Sequence, residues 1–279
     1  MKISALRALF HTQLSPLYEK REIEAIFFTY IEYIYNIKKH SYFLNLEHEV
    51  AFEHADMEAL SKGMPVQYVT GKAAFCGLEL NVNPSVLIPR PETEELVAMI
   101  IEKEKRRKVE KLLDLATGTG AIAIALAKNI KNATVWATDI SEKVLETAQK
   151  NAISNHVEIT FLLHDILKDD ITFLPDNLDI IVSNPPYIPQ SERVNLHKNV
   201  TDYEPNIALF VPDENPLIFY EAITQIAKKI LREGGFLYFE THEKFHAELS
   251  AMLAKMDFKE VELWNDLNGK PRFVSCKKL

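Results

Sequence analysis

Apolar positions recur at helical spacing through the first sixty residues, most clearly at Ile23, Ile26, Phe27, Tyr30, Ile31 and Ile34, and no glycine occurs before Gly63. This pattern predicts a small helical domain over 1–62. The texture then changes. Glycine and proline cluster between 63 and 91, and Leu78-Glu79-Leu80-Asn81-Val82 alternates with period two. A β-hairpin linker over 63–90 follows from that.

From residue 91 to the end the elements alternate. A helix over Glu92–Glu104 leads into an apolar strand at Leu112–Leu115, then a helix over Ala121–Asn129 and a strand at Thr134–Thr138. Next come a helix over Glu142–Ser154, strands at Glu158–Leu163 and Asp179–Ser183, a helix over Pro216–Leu231 and a strand at Gly235–Glu240. Short strands alternating with helices predict an α/β domain over 91–279, built on a parallel sheet with helices on both faces. Val261–Trp264 and Arg272–Cys276 flank Asn268-Gly269, a hairpin turn signal, so the sheet is expected to finish with an antiparallel hairpin.

Composition narrows the function classes. The chain has 279 residues, 47% hydrophobic and 26% charged, which excludes a disordered or fibrous chain. Its longest strictly apolar run, 121–127, is far short of the ~20 residues of a membrane helix. The first residues, broken by Arg7 and His11, do not read as a secretory signal. Cys76 and Cys276 cannot form a disulfide framework, so a reducing, cytoplasmic location is expected. A formal charge of −8 argues against a protein whose main task is gripping nucleic-acid phosphates.

Chemistry concentrates in the loops after the strands. Asp114-Leu115-Ala116-Thr117-Gly118-Thr119-Gly120 joins the first strand of the sheet to its helix, where ligands bind in such folds. Gly118 and Gly120 let backbone N–H groups approach a ligand at a helix N-terminus. Asp139 ends the second strand, 19 positions after Gly120, and suits ribose hydroxyls. The loop departs from G-x-G-x-x-G, so a nucleoside bearing a small carboxylate fits better than a nicotinamide dinucleotide. Asp165 follows the third strand and is placed to accept from an adenine amino group, with Ile166 packing on the ring; the competing reading of Asp165 is a turn cap.

Asn184-Pro185-Pro186-Tyr187 follows the fourth strand. A planar nitrogen bearing two hydrogens has a delocalised lone pair and is a poor nucleophile. Two fixed acceptors can hold its N–H bonds and aim the lone pair at an electrophile. Asn184 Oδ1 is one such acceptor and the Pro185 carbonyl a second. The prolines stiffen the loop, and Tyr187 offers a flat face.

Together these motifs resemble the class I S-adenosylmethionine-dependent methyltransferases, with their Rossmann-like sheet. Three further runs narrow the resemblance: Pro65-Val66-Gln67-Tyr68-Val69-Thr70-Gly71, Leu87-Ile88-Pro89-Arg90-Pro91-Glu92-Thr93-Glu94-Glu95-Leu96-Val97, and Tyr203-Glu204-Pro205 with Ala208-Leu209-Phe210. With these, residues 60–279 resemble the release factor glutamine methyltransferase family. I-P-R-P-E-T-E is the specific signature, whereas N-P-P-Y is shared with adenine-N6 DNA methyltransferases. The resemblance implies methylation at N5 of a glutamine in the Gly-Gly-Gln loop of peptide chain release factors. It implies S-adenosylmethionine contacts at Ala116, Thr117, Gly118, Thr119, Gly120, Asp139, Asp165, Ile166 and Asn184, a glutamine pocket lined by Asn184, Pro185, Pro186 and Tyr187, and a helical N-terminus that recognises the substrate. Asn184, Pro185 and Tyr187 are the catalytic candidates. Two positions depart from the family: Ala116 stands where glycine is usual, and Thr241-His242 replaces a glycine after Glu240.

Three other readings compete. An adenine-N6 nucleic-acid methyltransferase would need a basic target-recognition region, against the charge of −8. A glutamine methyltransferase of ribosomal proteins would share the core. A non-catalytic S-adenosylmethionine-binding protein would be expected to lack Asn184 or Tyr187. His242-Glu243-Lys244-Phe245-His246 matches H-E-x-x-H, a zinc-protease pattern, but lacks a third ligand, so no metal is expected. The segment reads instead as a helix start with Thr241 as N-cap. The basic run Lys103–Lys108 reads as a solvated helix end, and a monomer with no membrane or direct nucleic-acid partner is expected.

Overall fold

The computed structural model describes residues 1–168 and 170–279. Helices α1 (Ile3–Leu14), α2 (Lys20–Tyr35) and α3 (His54–Ser61) turn their apolar stripes onto a common core that includes Leu6, Phe10, Phe27, Tyr30 and Ile31. Helix α2 starts where Glu22 Oε2 accepts the Glu19 N–H (3.1 Å), and it stops at Asn36 in a left-handed conformation. A short helix, α4 (Val66–Thr70), then precedes the antiparallel hairpin β1 (Lys72–Phe75) and β2 (Leu78–Asn81). Five residues are too few to establish a period, so the sequence pattern does not reveal α4.

The remaining chain builds the α/β unit. Its elements are α5 (Pro91–Glu104), β3 (Lys111–Leu115), α6 (Ala121–Asn129), β4 (Thr134–Asp139), α7 (Glu142–Ser154), β5 (Thr160–Leu163) and β6 (Leu178–Ser183). An insertion follows with β7 (Ile188–Pro189), α8 (Lys198–Tyr203) and β8 (Phe210–Val211). Then come α9 (Ile218–Ile230), β9 (Leu231–Glu240), α10 (His246–Lys255), β10 (Lys259–Asn265) and β11 (Pro271–Lys277). The seven-stranded sheet has the order β10-β11-β9-β6-β3-β4-β5. β5, β4, β3, β6 and β9 run parallel, and β11 joins β9 antiparallel with β10 outside it. This is the parallel sheet with a C-terminal antiparallel hairpin that the sequence pattern predicts. All six residues of β6 are buried, and the apolar run at the start of α6 is buried from Ala121 to Leu126. Both are covered on every side, hence their continuous rather than alternating hydrophobicity. β3 has neighbours reached in opposite directions, β6 and β4, so a crevice opens at the C-terminal ends of these strands.

The 241–246 segment corrects one sequence expectation. Thr241 is not an N-cap: its N–H still bonds Arg272 O at 2.7 Å, continuing the sheet, and α10 begins only at His246. The two histidines of H-E-x-x-H therefore do not share a helix face. His242 Nε2 lies 3.2 Å from Glu192 Oε2, and His246 Nε2 lies 2.8 Å from Phe273 O. Of the two cysteines, Cys276 is buried and Cys76 only half-buried. The basic run is ion-paired: Arg107 bonds Glu104 and Lys103 bonds Glu262. Among the described residues no helix is long and apolar enough to cross a membrane.

Asn151, fully buried on α7, fastens the hairpin to this unit. Its Oδ1 accepts the Asn81 N–H at 2.7 Å, and its Nδ2 donates to Asn81 O at 3.0 Å and Thr119 O at 2.9 Å. Asn151→Leu keeps the volume but strands these backbone groups. It is expected to cost roughly 2–4 kcal/mol of stability, read from urea unfolding; an unchanged midpoint would show the contacts to be dispensable.

Candidate active site

A cavity of about 390 Å³ occupies the crevice. Strands β3 to β6 each send residues into it: Ala116 to Thr119 after β3, Asp139 at the end of β4, Asp165 and Ile166 after β5, and Asn184 with Pro186 after β6. The β3 loop is shaped from beneath. Asp114 Oδ2 accepts the Thr117 hydroxyl at 2.6 Å and the Ala123 N–H at 3.2 Å, so one carboxylate binds the strand, the loop and α6 together. Burial pushes the Asp114 carboxyl up to about 7, although both hydrogen bonds oppose this. Asp139 accepts the Gly118 N–H (3.1 Å) and the Ser141 N–H (3.2 Å), and burial raises its pKa despite those donors. Asp165 Oδ1 accepts the Leu167 N–H, so this residue makes the turn cap and also lines the cavity. His164, which sequence reasoning does not single out, also lines the cavity. Burial holds its pKa below the ordinary histidine value.

Gly118 and Gly120 serve different purposes. A Cβ on Gly118 would meet open space, so this backbone faces the cavity without obstruction. A Cβ on Gly120 would stand 3.1 Å from Ile124 Cδ1 and 3.2 Å from Ala148 Cβ. Gly120 does not line the cavity; its missing side chain lets α6 and α7 approach each other.

A second cavity, of about 240 Å³, lies on the other side of the N-P-P-Y loop. Pro185, Tyr187, Leu196, Val200 and Leu209 line it, so the β6–α9 insertion forms much of its wall. Asn184, Leu87, Arg90 and Ala208 line both cavities. Asn184 therefore stands where the two chambers meet, Pro186 belongs to the larger one, and Pro185 and Tyr187 belong to the smaller.

A hydrogen-bond chain sets the Asn184 amide. Its Nδ2 donates to Thr93 Oγ1 at 3.1 Å, and the Thr93 hydroxyl donates to Glu240 Oε2 at 2.6 Å. The other Glu240 oxygen accepts the Tyr187 hydroxyl at 3.3 Å. Glu240 is fully buried, and burial raises its carboxyl to about 7, opposed by the Thr93 bond, the Arg272 charge and the Tyr187 bond. Burial beside Glu240 likewise lifts the Tyr187 phenol well above its ordinary value. The chamber wall has a second brace. The buried Glu204 carboxylate pairs with Arg90 at 2.5 Å and accepts the Ile88 N–H at 3.2 Å, tying the start of α5 to the insertion. Thr93, Glu240, Arg90 and Glu204 are the structural partners that motif reasoning on the loops alone does not assign.

Comparison with known proteins bears on what occupies these chambers. A family profile described as "Methyltransferase small domain" matches residues 92–202. A release factor glutamine methyltransferase of Flavobacterium psychrophilum is 41% identical over 98% of this chain and 98% of its own length. The chain belongs to the release factor glutamine methyltransferase family. A second member, from Bacteroides thetaiotaomicron, is 42% identical over 78% of each chain. Among solved structures, a T. thermophilus 16S rRNA N2 G1207 methyltransferase in complex with AdoMet and guanosine aligns with a TM-score of 0.53 at 20% identity. It covers 75% of this chain and 50% of that one, and at this identity the likeness bears on the fold alone.

Ala116, where the family resemblance leads one to expect glycine, adopts φ 60°. A left-handed residue with a Cβ costs roughly 1–2 kcal/mol, and glycine's greater freedom when unfolded offsets about 0.5–1 kcal/mol of that. Ala116→Gly is therefore expected to stabilise the protein by roughly 0.5–1 kcal/mol. A fall in the urea midpoint would show that the methyl group makes a compensating contact.

Proposed function

We propose that this protein transfers the methyl group of S-adenosylmethionine to the side-chain amide nitrogen, N5, of the glutamine in the Gly-Gly-Gln motif of peptide chain release factors. The observation that carries the reading is the position of Asn184 on the wall shared by two cavities, with its amide oriented by Thr93. Family membership supports the substrate, and two cysteines and no apolar helix of spanning length among the described residues are consistent with the cytoplasm.

The larger cavity fits the methyl donor on the chemistry of its lining. Asp139 is a desolvated acceptor for the ribose hydroxyls, Asp165 an acceptor for the adenine amino group, and Ile166 an apolar wall for the ring. Ala116 to Thr119 offer backbone to the methionine end beside the N-terminus of α6. When bound, S-adenosylmethionine supplies an electrophilic methyl on a sulfonium that departs as a neutral thioether.

The chain's own residues do the aligning. Asn184 Oδ1 accepts one N–H of the target amide and the Pro185 carbonyl the other, so the nitrogen presents its lone pair to the methyl group. The nitrogen so held would take the methyl group, with the S–C electron pair leaving on sulfur, and would then shed its proton to water. Tyr187 covers one face of the planar amide and leaves the other open to the methyl group, and Leu209 on the cavity wall helps keep water out. Positioning of this kind is worth up to roughly 7–11 kcal/mol, which makes a metal unnecessary. The helices over 1–62 take the role of recognising the release factor: Tyr18 stacks on His197 with ring centroids 6.1 Å apart, and Tyr203 Oη donates to Lys62 O at 2.8 Å. These contacts join the helices to the insertion that walls the smaller cavity.

The test is labelled methyl transfer to purified release factors, ribosomal proteins and DNA side by side, with mass spectrometry of the product. Label on the glutamine of a release factor is expected, with Asn184→Ala slower on the order of 100-fold in single turnover and little changed in cofactor affinity. Label on DNA or a ribosomal protein alone, or Asn184→Ala at the wild-type rate, would overturn the reading.

A further inference from the structure

The Asn184 amide has two ends of similar size and opposite chemistry. Oδ1 accepts hydrogen bonds and Nδ2 only donates. A target amide nitrogen carries two hydrogens, so only the Oδ1 end can hold it. Something must decide which end faces the substrate. Thr93 alone cannot, because a hydroxyl both donates and accepts and would satisfy either end. The decision passes to the next group along the chain.

We propose that Glu240 is a positioning residue that fixes the flip of the Asn184 amide, through Thr93, and so makes the site competent for transfer to an amide nitrogen. The ionised carboxylate has only acceptors. It therefore takes the Thr93 hydroxyl proton (2.6 Å), which leaves Thr93 Oγ1 with lone pairs alone toward Asn184. Asn184 must then point Nδ2 at Thr93 (3.1 Å), and Oδ1 is left for the substrate. The second carboxylate oxygen takes the Tyr187 hydroxyl (3.3 Å), so one buried charge sets two walls of the smaller cavity. Protonation of Glu240 removes this polarity. A carboxylic acid can donate to Thr93 Oγ1, the hydroxyl can then donate to Asn184 Oδ1, and the amide turns its donor end to the substrate.

The groups facing Glu240 come from every element packed around it. They are Thr93 and Glu92 on α5, Tyr187 after β6, Arg272 on β11, and Tyr220 on α9, whose hydroxyl donates to the Glu240 carbonyl at 3.0 Å. Arg272 is the one cation among them and favours the ionised carboxylate; burial and Glu92 oppose it. The balance puts the Glu240 carboxyl at about 7. A raised carboxyl is protonated below that value, so activity falls as pH drops through it. A sulfonium beside the site draws the value down, so the acid limb lies at or below pH 7.

This inference rests on the reading that Asn184 Oδ1 orients the target amide. Its test is the pH profile of single-turnover methylation of a release factor, at saturating S-adenosylmethionine, for the wild type, Glu240→Gln, Thr93→Val and the double variant. Cofactor affinity is measured separately. Wild type is expected to show the acid limb. Glu240→Gln, whose amide donates as readily as it accepts, is expected to lose the limb and run on the order of 10–100-fold slower at neutral pH, with cofactor affinity within about twofold. Thr93→Val keeps the shape of threonine and breaks the chain at its middle, so it carries the test alone if Glu240→Gln does not fold. The double variant is expected to fall far short of the product of the two single losses, since both act through the Asn184 amide and only the Tyr187 bond to Glu240 is separate. Either single variant with the wild-type rate and an intact acid limb overturns the proposal. If the wild type puts no methyl on glutamine, it is the proposed function that fails.

Discussion

Asn184 is held by a hydroxyl on one side and open to two chambers on the other, and the chemistry available to the site depends on that single hydrogen bond. The Nδ2 contact to Thr93 crosses from the β6 loop to α5, and the next contact, to Glu240, crosses from α5 to β9. Three elements must therefore be in register for the amide oxygen to face a substrate. The sheet supplies that register. β6 and β9 are paired neighbours, Ser183 lying opposite Phe239, so Asn184 and Glu240 emerge side by side at the same edge.

The same economy appears on the substrate side. A buried carboxylate with no partner would be costly, yet Glu204 is braced by the Arg90 guanidinium and the Ile88 N–H. Arg90 immediately precedes α5, and Thr93 lies in its first turn. The ion pair therefore ties the insertion to the same helix that orients Asn184. Buried pairs of this kind are weak evidence for net stability; here the pair fixes where two chamber walls meet. It also links the N-terminal helices to the chemistry, because Tyr203, next to Glu204, reaches back to Lys62.

Much of this was readable in the chain. α6 and α7 match the sequence-derived bounds, Ala121–Asn129 and Glu142–Ser154, because strong signals flank them: Gly120 opens the one, and Ser141 caps the other by accepting the Val144 N–H. Asp139, Asp165 and Asn184 were visible because strand ends in a parallel sheet point into the ligand crevice. The partners were less visible. Thr93 and Glu240 are 147 residues apart, and Arg90 and Glu204 are 114 apart, separations at which no local pattern reports contact. Arg90, Thr93 and Glu204 did fall inside the family-like runs, which flagged the positions without giving their roles. The expected helix start at Thr241 fails for a related reason. The i, i+4 spacing assumes a helix from residue 242, whereas the Thr241 bond to Arg272 keeps the chain in the sheet. The helix-packing role of Gly120 is not legible in sequence, because glycines that face a ligand and glycines that meet a helix look alike there; only the neighbouring Ile124 and Ala148 reveal it.

The central claim is geometric: the oxygen end of Asn184 meets the nitrogen that receives the methyl group. A crystal structure of the protein with S-adenosylhomocysteine and a glutamine-containing release factor fragment tests it most directly. The account predicts the nucleoside in the larger cavity against Asp139, the glutamine amide in the smaller one, and its nitrogen about 3 Å from Asn184 Oδ1 with Nδ2 still on Thr93. A glutamine seated away from Asn184, or an Asn184 amide turned with Nδ2 toward the substrate, would contradict it.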